Sequence, residues 1–478
     1  MNTKDIQNNS VDKLFFENIF SYKNEIAIIT DCKNFSYSDI DMLSTKIATY
    51  LETRNLVFII CKNKHECIIG YLAILRKSCI PVLLNDDISS NYLYNLISKY
   101  RPKYFFIPQD IRISGSDIIY SYGDYNLLKT NAPYNYVINK ALAQLITTSG
   151  STGSPNFVRQ SYMNIESNIK AITKYLEINH SDRAITTMPM NYTYGLSIIN
   201  THLFNGASIV LTDKTLLDKK FWALVKKNNV TTFGGVPYIY GILKRIDFLH
   251  MDLPSLKYIT QAGGKLSCEL ALEFAEICAQ KKIKFFTMYG QTEATARMSY
   301  LPADFAIKKA GSIGVAIPNG EFWLVDENNI RIEQAYVTGE LVYSGENVSL
   351  GYARSYLDLS MGDENNGILY TGDLAQYDED GFYFIIGRKK RFIKLYGHRL
   401  NMDEVELQLN DAGFDCVCNG ADDELKIYTT NKEDIQSIKL YLIKNTNINK
   451  SGFNVYYTSQ IPRNPAGKVL YTLLDLYI

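Results

Sequence analysis

Two short stretches bring together side chains that suit phosphate chemistry. Leu145 to Asn164 reads LITTSGSTGSPNFVRQSYMN. Within it Thr147, Thr148, Ser149, Gly150, Ser151, Thr152, Gly153 and Ser154 crowd hydroxyls and glycines together, with no bulky side chain among them. Such a loop after a strand can wrap backbone N–H groups around a polyphosphate; glycine permits the close approach, and the hydroxyls add donors and a Mg²⁺ contact. The GxxxxGK[ST] pattern is absent, and a solvated Ser/Gly linker would have the same composition. The second stretch is Tyr289-Gly290-Gln291-Thr292-Glu293. A tyrosine at a strand end can stack on a base, a threonine can donate to phosphate, and a glutamate can ligate Mg²⁺. Thr292 and Glu293 would serve equally as caps of a following helix. A third stretch, Ala262-Gly263-Gly264, suits a flat ligand lying on the backbone, or simply a tight turn.

The surrounding pattern supplies strands and helices to carry these loops. Leu56–Ile60, Cys79–Leu84, Tyr104–Ile107, Ala141–Ile146 and Lys284–Met288 read as buried strands. Ile40, Leu43, Ile47 and Leu51 form a helical stripe with Ser38 as its N-cap. Ile68–Leu75, Asn91–Ile97 and Ile165–Leu176 read as further helices. Strands alternating with helices at this spacing predict βαβ units and a mostly parallel sheet. Alternation between Gly311 and Tyr352 predicts a small antiparallel sheet.

The 478 residues suffice for two or three domains. An apolar fraction of 46% against 21% charged residues predicts a large core rather than disorder. A formal net charge of zero favours neither nucleic acid nor an anionic membrane as a partner. No apolar run approaches membrane-helix length, and the polar start MNTKDIQNNS has no signal-peptide core. The eight cysteines include one C-x-C, Cys416 and Cys418, a weak zinc signal. Reduced, mostly buried thiols in a cytoplasm are the simpler expectation.

The glycine and hydroxyl loop resembles the phosphate loop of the adenylate-forming superfamily: acyl-CoA synthetases, peptide-synthetase adenylation domains and luciferases. SGSTG is intact, Val158 is kept, and Ser161 and Asn164 fall in register, while Asn156 replaces the usual lysine and Tyr162 the usual histidine. Tyr289 to Glu293 resembles the family's Y-G-x-T-E, and Thr371-Gly372-Asp373 its T-G-D. Gly387 to Glu406 is similar to the family's G-R hinge block, and Ile461 to Leu470, with Lys468, to its catalytic-lysine loop. Met188 to Leu196, Thr231 to Pro237 and Gly339 to Tyr352 match more weakly. Four of these blocks, the phosphate loop, Tyr289 to Glu293, Gly387 to Glu406 and the Lys468 loop, are specific and stand in the family's order over nearly the whole chain.

The resemblance implies an α/β fold: a large N-terminal domain, 1–389, of stacked mostly parallel βα subdomains plus a β-rich subdomain. A small mobile α+β domain, 390–478, follows. It implies ATP, Mg²⁺ and CoA or phosphopantetheine as cofactors, and a small carboxylic acid, with an acyl carrier protein as a candidate partner. The residues it marks for ATP and acyl binding are Thr148 to Gly153, Gly263, Gly264, Tyr289, Gly290, Gln291, Asp373, Arg388, Lys390, Gly397 and Tyr192. Lys468, Thr292, Glu293 and Arg399 are marked as catalytic, with Glu293 the Mg²⁺ ligand. Arg388 and Asp373 would hold ribose, Arg399 would meet phosphate, Lys390 would be the hinge and Tyr192 would gate the acyl pocket. No aspartate lies between Met188 and Leu196, which argues against an α-amino acid. Asn156 removes a phosphate-loop charge, for which Arg159 is the neighbouring cation available to compensate. It leaves a rival reading, a non-catalytic nucleotide- or carboxylate-binding relative. Lys389 and Arg391 read as a solvated basic face.

Overall fold

A computed structural model describes residues 18–132, 134–147, 156–395, 398–421, 424–445, 450–464 and 469–477. Two large sheets dominate. One has eight strands, and its centre, Leu142–Thr147, Ile80–Asn85, Leu56–Cys61 and Tyr104–Pro108, is parallel. These strands are near-continuous apolar runs because helices cover both of their faces. The other has nine strands, with a parallel run from Lys284–Tyr289 through Tyr258–Gln261, Thr232–Gly235, Arg183–Ile185 and Ser208–Val210 to Ile26–Ile29. A five-stranded antiparallel sheet between residues 321 and 388 is the small sheet expected from the alternation.

The Tyr162–Leu176 and Thr193–Phe204 helices pack together against both large sheets. Ser161 caps the first, accepting from the Asn164 amide at 3.0 Å while the Asn164 side chain accepts from the Ser161 amide at 2.8 Å. The two residues in register with the family motif are therefore a reciprocal cap. The second helix buries all but one of its residues, its polar side chains Thr193, Ser197, Asn200, Thr201 and His202 included.

Several details differ from the sequence expectations. The Tyr37–Ala48 helix is capped by Ser36, not Ser38. Ser36 is extended and its Oγ accepts from the Asp39 amide at 3.1 Å, while Ser38 donates to the Lys23 carbonyl. The Ser116–Tyr122 and Tyr125–Thr130 hairpin is not foreshadowed by the pattern; its outer strand has no buried residue and so lacks a long apolar run. Cys416 and Cys418 lie in the strand Cys416–Ala421, both buried, as core residues.

After the Lys389–Arg391 turn the chain builds a separate sheet, Cys416–Ala421, Glu424–Thr429 and Phe453–Tyr457. The Met402–Asp411 and Asp434–Asn445 helices cover it, and Leu409, Ile427, Ile438 and Leu442 form its own core. Arg391 is not on a solvated face. It is an ion-pair partner of Asp403 and of Glu406 (3.0 Å), and its guanidinium lies 3.8 Å from the Tyr471 ring centre. Lys389, half exposed, pairs with Glu340 at 2.7 Å. A basic run looks solvated in sequence because its acidic partners come from other strands and a later helix.

Candidate active site

Gly290 has no room for a side chain: a Cβ there would stand 1.9 Å from the Ala296 carbonyl oxygen. The chain leaves the Lys284–Tyr289 strand through this contact, makes a short 3-10 turn at Thr292–Ala294, and returns antiparallel as Ser299–Tyr300. Thr295 (φ 60) and Ala296 (φ 136) complete the reversal with left-handed backbone, a conformation that costs non-glycine residues energy and gathers at functional sites. Tyr289, Gln291, Thr292 and Glu293 are held on this one turn.

Tyr289 and Gln291 converge on Asp373. The Tyr289 hydroxyl donates to its Oδ2, and Gln291 Nε2 donates to the same oxygen at 2.9 Å and to the Thr371 carbonyl at 3.0 Å. Arg388 Nε lies 3.2 Å from the other carboxylate oxygen, and strand pairing sets Arg388 directly opposite Asp373. Asp373 is 3% exposed, so its charge needs these donors. Burial, and then the neighbouring carboxylate, push the Tyr289 hydroxyl well above its ordinary range and keep it a donor. The Arg388 side chain is more than half exposed and can exchange Asp373 for a ligand.

Thr292 and Glu293 tie this turn to the strand that follows the glycine and hydroxyl loop. Gln160, in Phe157–Ser161, donates to the Thr292 carbonyl at 2.9 Å. The Thr292 hydroxyl lies 3.4 Å from that of Thr193. Glu293 Oε1 accepts from the Tyr352 hydroxyl at 2.7 Å, and Tyr352 pairs with Val158 on the same strand. Thr147 stands opposite Phe157, so the two ends of the loop are clamped together. Thr148 to Gly153 themselves lie outside the described residues, as do Gly397 and Lys468; Lys390 and Arg399 are described in their backbone only.

On the opposite side, Gly263 (φ 83) faces Tyr192, whose hydroxyl would be 2.4 Å from a Cβ. Gly264 faces Pro237 from the Thr231–Pro237 segment, and its carbonyl accepts from Gln261 at 2.8 Å. The Tyr194 hydroxyl fills the space over Gly234 and bonds Thr260 Oγ1 at 2.7 Å. Burial pushes the Tyr194 hydroxyl up to about 12 against the opposing pull of Arg297.

Arg159 does not stand in for a phosphate-loop lysine. It is fully buried, and its guanidinium donates to the carbonyls of Leu350, Tyr352, Met361 and Gly362 and pairs with Glu364. Every nitrogen is used in fastening the 350–364 segment to the Phe157–Ser161 strand. Gln160, Tyr352 and Arg297 join the site without having been expected from the sequence. Two of them carry a signal there: Tyr352 ends the weakly matching Gly339 to Tyr352 segment, and Arg297 is an isolated cation in the run ATARMSY.

The family model for "AMP-binding enzyme" matches residues 15–353. The chain belongs to the AMP-binding enzyme family. Gramicidin S synthase 2 of Brevibacillus brevis is 23% identical over 95% of this AMP-binding chain, which spans only 10% of that synthase's length. A 2-succinylbenzoate–CoA ligase of Bacillus cereus is 28% identical, over 73% of the chain and 71% of the ligase. Among solved structures, o-succinylbenzoate CoA synthetase (MenE) from Bacillus subtilis with its acyl-adenylate intermediate superposes with a TM-score of 0.79 at 21% identity. That match covers 96% of this chain and 97% of the other. It establishes a shared fold: the mixed α/β architecture, large parallel-stranded sheets and added β-rich sheet described above.

Proposed function

We propose that this chain activates a carboxylic acid with MgATP as an acyl-AMP and then passes the acyl group to a thiol, CoA or a carrier protein's phosphopantetheine. The observation that carries the reading is the buried Asp373 carboxylate, ringed by Tyr289, Gln291 and Arg388, beside Thr292 and Glu293 on one glycine-dependent turn. A carboxylate whose donors can be exchanged suits a ribose diol. The Gly263–Gly264 turn and Tyr289 offer flat surfaces for a base.

In the first step a carboxylate oxygen attacks the α-phosphorus in line, and the bond to the departing pyrophosphate breaks. The nucleophile is already ionised, so positioning and charge neutralisation carry the catalysis. Thr292 donates to the α-phosphate, Thr148 to Gly153 wrap the remaining phosphates, and Lys468 bridges carboxylate and phosphate. Glu293 fits Mg²⁺: it is a single hard carboxylate oriented by Tyr352, and Mg²⁺ takes one or two carboxylates with waters and phosphates. Bound there, the ion neutralises phosphate charge. In the second step the 390–478 domain rotates about Lys390, bringing the Gly397 segment to the site, with Arg399 meeting phosphate. The thiolate attacks the acyl carbonyl, the C–S bond forms and the bond to AMP breaks, AMP leaving as its phosphate anion. The peptide synthetase and the CoA ligase among the relatives support the two kinds of thiol acceptor. Eight free thiols, six of them buried, support a reducing cytoplasm. Among the described residues no helix is long and apolar enough to cross a membrane.

The test is pyrophosphate release with a panel of carboxylic acids, run with each thiol. No release with any acid would favour the non-catalytic rival raised by Asn156. Lys468→Ala should reduce acyl-AMP formation by several orders of magnitude and leave thioester formation from supplied acyl-AMP largely intact. Equal loss of both half-reactions would remove Lys468 from its assigned role.

A further inference from the structure

Arg297 is 2% exposed and carries its charge among neutral groups. Its Nη1 lies 3.3 Å from the Tyr175 hydroxyl and 3.0 Å from Met288 Sδ. Its Nη2 lies 3.1 Å from Ser197 Oγ, and its guanidinium 4.7 Å from the Tyr194 ring centre. Nε has no hydrogen-bond partner. Among the described residues no carboxylate lies within ion-pair distance of it. Arg159, the other fully buried arginine among the described residues, is treated differently: it has a carboxylate, Glu364, and carbonyl acceptors. A buried cation is costly unless it is paired.

The backbone holds this cation in place. Thr295 and Ala296, both at positive φ, precede it, and its carbonyl is gripped by Asn168 at 2.8 Å and Asn347 at 3.0 Å. The side chain reaches the Thr193–Phe204 helix on the face that carries Thr193, Tyr194 and Ser197. Thr193 contacts Thr292, the residue assigned to the α-phosphate, and Ser197 contacts Arg297. The two lie four residues apart on one helix face, about one turn or roughly 5.4 Å along the axis.

We propose that Arg297 receives a second negatively charged group on the carboxylic acid substrate, making this chain a ligase for short dicarboxylic acids; this rests on the acyl-activating reading above. One carboxylate reacts at the Thr292 end, and the other, a few carbons away, pairs with the guanidinium. Tyr194 closes over Gly234 and Tyr192 over Gly263, so little room is left beside this helix face, in keeping with a short chain. The same cation repels an α-ammonium, in keeping with the missing aspartate between Met188 and Leu196.

The experiment compares butanedioate and pentanedioate with butanoate and pentanoate, in the full chain, by pyrophosphate release and by thermal melting without ATP. Wild type should favour the diacids by about 100-fold in kcat/KM, the scale of one charge-assisted pair. Arg297→Met should bring that preference near unity. Its ligand-free Tm should equal or exceed that of wild type, since an unpaired buried charge has been removed; a purely structural arginine would lower it. Arg297→Lys keeps the charge and should retain a weaker preference for diacids. Diacids should raise the Tm of wild type but not of Arg297→Met. A wild-type preference for the monoacids, or an unchanged diacid preference in Arg297→Met, overturns the proposal while leaving the ligase reading standing. Diacid-dependent stabilisation that needs Arg297, with no pyrophosphate released by any acid, upholds the site and overturns the ligase reading.

Discussion

Asn156 and Arg159 stand three residues apart and divide two tasks that a local reading merges. Arg159 is committed to Glu364 and four carbonyls, so the charge absent at Asn156 is not restored by it. Asn156→Lys should therefore lower the KM for ATP or leave it unchanged, with a gain of roughly 1–3 kcal/mol if the ammonium meets phosphate. A marked rise in steady-state KM would show a loop rebuilt around asparagine. His202 makes a prediction of another kind. Burial lowers its imidazole from 6.5 to about 4, with Nδ1 against the Ile198 carbonyl at 2.8 Å and Nε2 without a partner. Between those values the unfolded chain binds a proton that the folded chain refuses. Stability is thus fully present above pH 6.5 and declines as pH falls toward 4. The linkage amounts to about 2 kcal/mol by pH ~5. Urea midpoints at about pH 7 and about pH 5 should show this loss in wild type, and His202→Leu should lose about that much less.

At the scale of elements, the reversal from Lys284–Tyr289 to Ser299–Tyr300 carries Tyr289, Gln291, Thr292 and Glu293 together. It depends on a backbone contact that no side chain at Gly290 can share, since the Ala296 carbonyl and Arg297 Cα would both lie within 2.7 Å of an added methyl carbon. Gly290→Ala must displace Gln291, Thr292 and Glu293 together. A shift near ~1 Å in a positioning element costs on the order of 100-fold, so kcat/KM for pyrophosphate release should drop about that much. Circular dichroism should stay near wild type, because the parallel run that starts at Lys284–Tyr289 does not depend on the turn. Activity within a few-fold of wild type would mean the turn relaxes without moving the site.

For the whole molecule, the arrangement of two large sheets, an antiparallel sheet and a separately cored C-terminal sheet leaves one short connection, the Lys389–Arg391 turn. Domain alternation requires large φ/ψ changes at a few residues, and proline fixes φ near about −65° and removes the N–H. Lys390→Pro should allow pyrophosphate release and block transfer to the thiol, so that acyl-AMP accumulates on the protein. Following both half-reactions separately decides it; wild-type rates in both would place the hinge elsewhere or dismiss alternation.

What is legible in the sequence by itself is what is local. Tyr289 to Glu293, Thr371 to Asp373 and the Ser161–Asn164 cap are contiguous because each depends on the backbone conformation of a few neighbouring residues, and apolar runs reveal the four central strands of the eight-stranded sheet and Lys284–Tyr289. Partners drawn from distant segments are not legible. In sequence Arg159 reads as a phosphate contact and Arg391 as solvated, yet both are paired with acids from other segments, Arg159 with Glu364 and Arg391 with Asp403 and Glu406. The Tyr352 bond to Glu293 and the isolation of Arg297 depend equally on tertiary structure. A charge shows its type in sequence, but whether it is paired, solvated or left waiting for a ligand depends on which strands and helices the fold brings around it.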